Sequence, residues 1–325
     1  MKQAAWPMKI LIVSPAPARS RHGNRVTALR WARILRRLGH RVDVRNRYEG
    51  GRWDLLVALH ARKSAASVEA FRRTGRPIVV ALTGTDVYRD IHRSGRARRA
   101  LHAAARLVVL QPLAVRELAV ALRSRARVIH QSAESPSGRP RPARDRFDVC
   151  VIGHLRPEKD PFRAAAAVRR LPASSTIRVL HVGKAMTNAM ARRARGEMMR
   201  NPRYRWLGER PRAEARAILA RSRLMVLSSR MEGGANVVSE ALAASVPIVA
   251  SRIPGTVGLL GGDYAGFFRT GDTAALTALL ERAERDRRFV MNLQKACGRR
   301  RSLVSVRREE RSWRELLASL RRRRR

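Results

Sequence analysis

Two glutamates enclose a pair of glycines in the segment SSRMEGGANVVSEALAASVPIVAS, residues 228–251. Glu232 and Glu240 are eight residues apart, and Gly233 and Gly234 follow the first of them directly. A carboxylate is a good bidentate acceptor for two sugar hydroxyls, and glycines let a backbone approach a ligand closely. These residue types suggest a site for a nucleotide sugar, with Glu240 on the ribose hydroxyls and Glu232 on the sugar to be transferred.

A helix is expected to start near Ala235, with Asn236 as its cap. Free N–H groups at its beginning and in the glycine turn would hold a pyrophosphate. An ordinary capped helix with two exposed glutamates fits the same residues, so this segment alone leaves both interpretations open.

Short β-type runs alternate with helical patterns along the chain, and this alternation must position the glutamates. Six strands are expected in the first part, at residues 9–15, 40–46, 54–60, 77–84, 106–111 and 127–132. Six more are expected in the second part, at residues 147–155, 175–183, 204–209, 223–229, 247–252 and 266–271. Strands separated by helices favour an α/β fold in which helices cover parallel sheets.

The alternation breaks at AESPSGRPRPARDR, residues 133–146, where Pro, Gly, Ser and Arg cannot fill a core. We therefore expect two Rossmann-like domains that face each other across a cleft. The expected parts are an N-terminal acceptor domain at 1–134, a linker at 135–146, a C-terminal donor domain at 147–304, and a C-terminal helix with a basic tail at 305–325. The apolar face of the last helix is formed by Trp313, Leu316, Leu317 and Leu320.

The chain is strongly basic, with 70 lysines and arginines, 25 aspartates and glutamates, and a formal net charge of +45. Such a charge attracts polyanions, whether nucleic acid, anionic lipid or phosphorylated substrates. The arginines are scattered, however, and only RRRRR at 321–325 forms a block. Aromatic residues make up 5% of the chain and no basic–aromatic stacking pattern occurs. A basic nucleic-acid-binding protein is therefore the most distant alternative, and no specific nucleic-acid partner is expected.

No apolar stretch approaches the length of a membrane span. The short apolar segment near the start is better explained as a first strand than as a signal peptide. Cys150 and Cys297 cannot make a disulfide framework. The sequence thus favours a cytoplasmic protein and leaves its oligomeric state open.

The E-x7-E spacing of Glu232 and Glu240 resembles the hallmark of the retaining, group 1 glycosyltransferases, which have the two-domain GT-B architecture. In that family an arginine and a lysine after the first strand of the second domain hold the donor diphosphate. This chain reads GHLRPEK at 153–159, so Lys159 is retained, His154 stands at the usual arginine, and Arg156 is expected to supply the missing charge. The resemblance implies a donor site formed by His154, Arg156, Lys159, Glu232, Gly233, Gly234, Ala235, Asn236 and Glu240.

Segments such as LTGTDVYRDI (82–91) and VIGHLRPEKDPFRAA (151–165) narrow the resemblance to the selenosugar synthase branch of selenoneine biosynthesis. The resemblance implies that the chain joins selenophosphate to the anomeric carbon of a UDP-sugar, typically UDP-N-acetylglucosamine, and releases UDP and phosphate. An alternative keeps the fold and the donor but transfers the sugar to a hydroxyl of a lipid or glycan. The preferred sugar and the anomeric outcome stay open.

Cationic residues after strands of the first domain are the expected ligands of an anionic acceptor. An alcohol acceptor needs help to lose its proton, whereas selenophosphate is already anionic and its selenium is a soft nucleophile. Its enzyme therefore needs cations for the phosphate more than it needs a base. The expected acceptor contacts are Gly23, Arg25, Arg62, Lys63, Thr83, Asp86 and Arg89.

The expected catalytic residues are Lys159, Glu232 and His60, although a histidine at a strand end is as often structural. No D-x-D motif follows an apolar strand, which argues against the glycosyltransferase architecture that binds the diphosphate through a divalent cation. No metal and no cofactor are expected, because the UDP-sugar is a co-substrate and Lys159 and Arg156 would hold its diphosphate.

Overall fold

The computed structural model describes most of the chain, namely residues 7–17, 23–135 and 142–321, the last without its side chain. Two units can be distinguished, one comprising residues 1–131 and 306–325 and the other residues 132–305. Residues 136–141 of the expected linker and the RRRRR ending beyond Arg321 lie outside the described residues.

Six strands form a parallel sheet in the first unit: β1 (Lys9–Val13), β2 (Arg41–Arg45), β3 (Leu55–Leu59), β4 (Ile78–Leu82), β5 (Arg106–Val109) and β6 (Ala126–Val128). Their order across the sheet is β2-β1-β3-β4-β5-β6. Strands β3 and β4 are buried at every position. Helices on both faces explain why the sequences of these strands are continuously apolar.

The helices of this unit are α1 (Gly23–Arg37), α2 (Ala65–Arg72), α3 (Ile91–Arg93), α4 (Gly95–Ala103) and α5 (Val120–Arg123), with a π-helical turn at Asp86–Asp90. Successive residues of a strand point to opposite faces. Ile10 of β1 accordingly packs in one apolar cluster with Trp31 of α1, and Leu11 packs in another with Phe71 of α2. The strand periodicity thus divides the core between the two sides of the sheet.

The final helix, α13 (Val306–Arg321), also belongs to the first unit. Trp313 packs edge to face against Trp31, with ring centroids 4.9 Å apart. Glu309 is buried, accepts a hydrogen bond from Trp31 Nε1 at 2.7 Å and pairs with Arg30 at 3.2 Å. The apolar face predicted for this helix therefore completes the core of the N-terminal unit.

Six strands also form a parallel sheet in the second unit: β7 (Phe147–Ile152), β8 (Ile177–Val182), β9 (Tyr204–Trp206), β10 (Leu224–Leu227), β11 (Ile248–Ser251) and β12 (Phe267–Phe268). Their order is β12-β11-β10-β7-β8-β9. The neighbours β7 and β10 are far apart in sequence, so the sheet brings the loops that follow them to the same edge.

Seven helices are described in this unit: α6 (Arg163–Val168), α7 (Asn188–Arg200), α8 (Arg212–Arg221), α9 (Asn236–Ala244), α10 (Pro254–Leu260), α11 (Thr273–Arg285) and α12 (Arg287–Arg300). All twelve expected strands are present in two parallel sheets, which confirms the predicted α/β fold class. Within the described part of the chain, no helix is long and apolar enough to span a bilayer.

Candidate active site

Two loops meet at the carboxyl edge of the second sheet, one after β7 and one after β10. The Ser228 hydroxyl donates to the carbonyl of Asp160 at 2.9 Å, and the backbone N–H of Arg230 donates to the carbonyl of Glu158 at 2.8 Å. These bonds join the GHLRPEK segment to the segment that carries Glu232. Two motifs that are separated in sequence therefore form one site.

Lys159 and Glu232 are the side chains that this meeting brings into contact. Lys159 Nζ donates to Glu232 Oε1 in an ion pair whose side chains are 17% and 9% exposed. The hydroxyl of Ser229 donates to the same carboxylate oxygen at 2.6 Å. Sequence reasoning predicted both members of the pair, but it predicted neither their contact nor the role of Ser229.

Residues at the end of β11 and the start of α10 support the loop that carries Glu232. Ser251 donates a hydrogen bond to the carbonyl of Ser229, and Thr256 Oγ1 donates to the carbonyl of Ser251 at 2.6 Å. A Cβ added at Gly255 would lie 2.0 Å from the carbonyl oxygen of Glu232. Gly255 therefore has to be a glycine for the loop to lie where it does. The Pro254-Gly255 pair at a helix start was the sequence signal that the prediction left unused.

Glu240 lies one turn inside α9 and pairs with Arg212 at 3.1 Å, with side chains that are 14% and 45% exposed, respectively. The expected cap is wrong, because Ala235 occupies the N-cap position without a side-chain cap and Asn236 is the first residue of the helix. Gly233 and Ala235 are buried, and Gly234 and Asn236 are half-buried.

Arg156 provides a second cation at this edge. Its Nε is buried and has no hydrogen-bond partner among the described residues. Buried polar atoms in proteins are usually paired, so this N–H is available to an anionic ligand. His154 is committed through Nδ1, which accepts a hydrogen bond from the backbone N–H of Lys184 at 3.1 Å.

His181 supports the same loop from within β8, a role that no feature of the sequence predicted. Its Nε2 lies 3.1 Å from the carbonyl of Gly153, which can only accept, so Nε2 carries the proton. Its Nδ1 then accepts from the hydroxyl of Tyr204 at 2.8 Å. Burial lowers the pKa of His181 to about 4, so the ring is neutral at physiological pH. Gly183 lies so close that an added Cβ would be 1.9 Å from the same Gly153 oxygen.

Asp86 holds together the carboxyl ends of β3 and β4 in the first unit. Its carboxylate is fully buried and accepts from the backbone N–H groups of Ala61 at 3.0 Å, Gly84 at 2.8 Å and Thr83 at 3.1 Å. Asp86 was expected to contact the acceptor. The structure instead assigns its oxygen atoms to the backbone, so Asp86 positions the two loops.

His60 follows β3 with a positive φ of 71° and is 3% exposed. Non-glycine residues seldom adopt this conformation, and its local strain is typical of functional sites. Burial lowers the pKa of His60 below its usual value, with Asp86 and Asp90 opposing the shift and Lys63 adding to it. The imidazole is therefore neutral at neutral pH.

Cationic residues lie in the loops next to this histidine, at the same edge. Arg62 and Lys63 are exposed in the loop after β3, and Arg89 lies in the turn after β4. Arg62 and Arg89 approach the buried carboxylate of Asp90 at 3.7 and 3.4 Å. The structure thus brings two predicted acceptor residues, Arg62 and Arg89, together at Asp90, a residue that the sequence analysis did not select.

Three further residues of the first unit, two that follow strands and one in a helix, keep buried polar atoms without a hydrogen-bond partner in the described part of the chain. These atoms are Ser14 Oγ after β1, Nε and Nη1 of Arg25 in the first turn of α1, and Thr83 Oγ1 after β4. Arg25 and Thr83 were predicted, whereas Ser14 was not. Gly23, also predicted, is the exposed first residue of α1.

A cavity of about 930 Å³ in the second unit lies away from these residues. Phe147, Arg223 and Pro247 in its lining precede or begin strands. The cavity therefore lies at the amino edge of the sheet, and none of the predicted site residues lines it. In the described chain, no group of three or more His, Cys, Asp or Glu side chains is placed to hold a metal ion.

Solved structures with the same fold include three that are distant in sequence. HepE of Anabaena, in complex with UDP and glucose, has a TM-score of 0.74 at 16% identity, over 96% of this chain and 100% of that chain. Sucrose-phosphate synthase of Thermosynechococcus elongatus has a TM-score of 0.78 at 16% identity, over 96% and 98% of the two chains. A trehalose-phosphate synthase of Burkholderia xenovorans, in complex with glucose-6-phosphate, has a TM-score of 0.66 at 14% identity, over 82% and 73%.

The search of curated protein sequences gave no significant match. The family model for group 1 glycosyl transferases matches residues 137–301, slightly more than half of the 325 residues. This range includes the ion pair of Lys159 and Glu232, the buried guanidinium of Arg156, and Glu240. The chain therefore belongs to the group 1 glycosyltransferases.

Proposed function

We propose that this glycosyltransferase transfers the sugar of a UDP-sugar, UDP-N-acetylglucosamine in particular, to the selenium of selenophosphate. The second unit would bind the donor and the first unit the acceptor. The observation that carries the donor half is the meeting of Lys159, Glu232 and the unpaired Nε of Arg156 at one sheet edge. HepE, which has the same fold, was solved with UDP-glucose.

The donor would be held by both charges and hydroxyl acceptors. Lys159 and Arg156 would neutralise the diphosphate, which gains negative charge as it leaves. Glu240 would accept hydrogen bonds from the ribose hydroxyls, and Glu232 would contact the transferred sugar. These four side chains need no metal ion or further cofactor to complete the site.

The acceptor half rests on the cations of the first unit. Arg62 and Arg89 meet at Asp90, Lys63 is exposed next to Arg62 in the chain, and Nε and Nη1 of Arg25 are unpaired among the described residues. This arrangement suits an oxyanion better than a neutral hydroxyl acceptor. The trehalose-phosphate synthase of the same fold was solved with a phosphorylated sugar, which supports an anionic second ligand.

In the proposed reaction, selenium forms a bond to the anomeric carbon as the bond from that carbon to the diphosphate oxygen breaks and UDP leaves. A water molecule then cleaves the phosphorus–selenium bond, which yields phosphate and the 1-seleno-sugar. Because selenophosphate is already anionic, no side chain has to remove a proton before the attack. The buried, neutral His60 is compatible with this chemistry.

An assay with a panel of donors and acceptors tests this function. The purified protein is incubated with UDP-sugars and with selenophosphate, thiophosphate, sugar alcohols or lipid acceptors, and the products are identified by mass spectrometry. We expect UDP release and a 1-seleno-sugar with selenophosphate, at a rate that EDTA leaves unchanged. Efficient glycosylation of a hydroxyl while selenophosphate is ignored would overturn the acceptor assignment, and failure to consume any UDP-sugar would overturn the donor assignment as well.

A further inference from the structure

Asp90 occupies an unusual position among the cations of the first unit. It ends the π-helical turn Asp86–Asp90, and its side chain is only 5% exposed. Arg62 Nη1 lies 3.7 Å from Asp90 Oδ1, and Arg89 Nε lies 3.4 Å from the same oxygen. One buried carboxylate thus faces two guanidinium groups that come from different loops. Short π-helical segments are rare and often occur at functional sites.

His60 faces the other oxygen of this carboxylate. The backbone N–H of Lys63 points at His60 Nδ1 at 3.4 Å, which makes Nδ1 the acceptor and places the ring proton on Nε2. Nε2 lies 3.7 Å from Asp90 Oδ2 and 3.5 Å from Thr85 Oγ1. The buried histidine therefore presents a donor towards Asp90 and is a neighbour of the carboxylate rather than an exposed base.

We infer that Asp90, supported by His60, is a positioning residue that holds Arg62 and Arg89 in place as an oxyanion clamp. The oxyanion clamp consists of Arg62 and Arg89. This inference rests on the proposed function, because it explains how the arginines of the proposed acceptor site are held in place. It extends that function by identifying a carboxylate as necessary for binding an anion.

The physical reason is preorganisation. The side chains of Arg62 and Arg89 are 59% and 40% exposed, and free arginine side chains lose substantial rotamer entropy when a ligand orders them. The carboxylate also reduces the repulsion between two neighbouring guanidinium groups. A ligand that meets the arginines already in place binds more tightly because part of the ordering cost has been met.

Substitution of Asp90 separates this explanation from a simple charge effect. Asp90→Asn removes a negative charge beside two guanidinium groups, so Coulomb's law alone predicts tighter binding of an anion. A positioning role for Asp90 predicts weaker binding of the anion instead. We expect Asp90→Asn to weaken the binding of thiophosphate and inorganic phosphate, measured by calorimetry, by about 5- to 10-fold.

Glu117→Gln is the matched control, because Glu117 belongs to the same unit, pairs with His92 at 3.2 Å and is 31% exposed. This variant makes the same charge change and should bind phosphate no more weakly than the parent. Arg62→Gln should also weaken phosphate binding. In the Arg62→Gln background, Asp90→Asn should reduce phosphate affinity by less than it does in the parent, because the effects of coupled residues are not additive. Arg89→Gln provides a surface variant that tests the clamp if Asp90→Asn fails to fold.

The results distinguish this inference from the proposed reaction. Unchanged or tighter thiophosphate binding by a folded Asp90→Asn protein would overturn the positioning role, and so would absence of phosphate and thiophosphate binding by the parent. If the parent binds both anions through the clamp but does not consume UDP-sugar with selenophosphate, the proposed reaction fails and the clamp stands. The affinity of each variant for UDP is measured as well. We expect it to be unchanged, which would show that the second unit is intact.

Discussion

Lys159 and Glu232 are an ion pair at the point where the donor diphosphate is proposed to bind. The carboxylate also accepts a hydrogen bond from Ser229. A diphosphate would compete with Glu232 for the ammonium group of Lys159. Its attraction to that group increases as negative charge grows on the departing UDP. At the scale of single residues, Lys159 is therefore expected to act mainly in the transition state.

Lys159→Ala should lower kcat by about 100-fold, the usual cost of removing one preorganised electrostatic contact to the transition state. The KM for the UDP-sugar should change less, since interactions that strengthen on the way to the transition state act on kcat. Steady-state kinetics measure both. Lys295→Ala, which removes an exposed lysine of the same unit, should leave both values unchanged. A steady kcat with a raised KM would show that Lys159 only binds the ground state.

Glu240→Ala should weaken UDP binding by about 1–3 kcal/mol, because ribose hydroxyls lose their acceptor. If Glu240 merely neutralised Arg212, with which it pairs at 3.1 Å, its removal would free a cation and tighten UDP binding instead. The sign of the change in Kd, measured by calorimetry, therefore decides between the two roles. Glu214→Ala is the control, because Glu214 is 47% exposed and pairs with Arg210 in the same unit. Unchanged UDP affinity would contradict the ribose assignment.

At the scale of elements, the sequence predicted the strands well because their apolar runs are continuous. Strands β3 and β4 are buried at every position, and any sequence that fills a two-sided core must be apolar throughout. The position of the site at a sheet edge was predicted from the same pattern, because the carboxyl ends of parallel strands lie at one edge of the sheet. Glu232 was predicted from its place after a strand and beside two glycines, and Lys159 from the resemblance to the family.

Contacts between distant parts of the chain could not be predicted in the same way. Nothing local to Asp86 shows that its carboxylate binds backbone N–H groups of two loops, and nothing local to His181 shows that it supports Gly153. The cap of α9 was wrong because Asn236, a good capping type, lies one position inside the helix. Local propensity indicates which residue types suit a helix cap or a turn. Tertiary packing determines where the helix begins and which groups each side chain contacts.

Gly255 shows how an element positions a residue that it does not contain. A methyl group at Gly255 would meet the backbone oxygen of Glu232 at 2.0 Å, so the loop or α10 would have to move. Gly255→Ala should destabilise the protein by about 1–3 kcal/mol and weaken UDP binding. Gly298→Ala is the control, because an added Cβ in α12 meets nothing within 4 Å and should be neutral or stabilising by about 1 kcal/mol. Thermal melting compares the two, and equal melting temperatures would contradict the steric role.

At the scale of the whole molecule, the net charge of +45 does not by itself identify a partner. Many arginines act within the fold, as Arg30 does with Glu309 and Arg178 does with Asp148. The functional signal lies in the cations that gather at sheet edges beside unpaired or buried polar groups. We propose that those of the second unit bind the donor and those of the first unit bind the acceptor.

The most direct test of this division is the KM for each substrate in the double variant Arg62→Gln/Lys63→Gln. The KM for selenophosphate should rise by at least about tenfold, because one charge-assisted hydrogen bond contributes about 1.5–3 kcal/mol, while the KM for the UDP-sugar stays within about twofold of the parent. Added salt should weaken selenophosphate binding in the parent and much less in the double variant. His60→Gln, which removes no charge at neutral pH, should raise the selenophosphate KM far less. Equal increases in both KM values, or a larger effect of His60→Gln, would contradict the assignment of the two ligands to separate units.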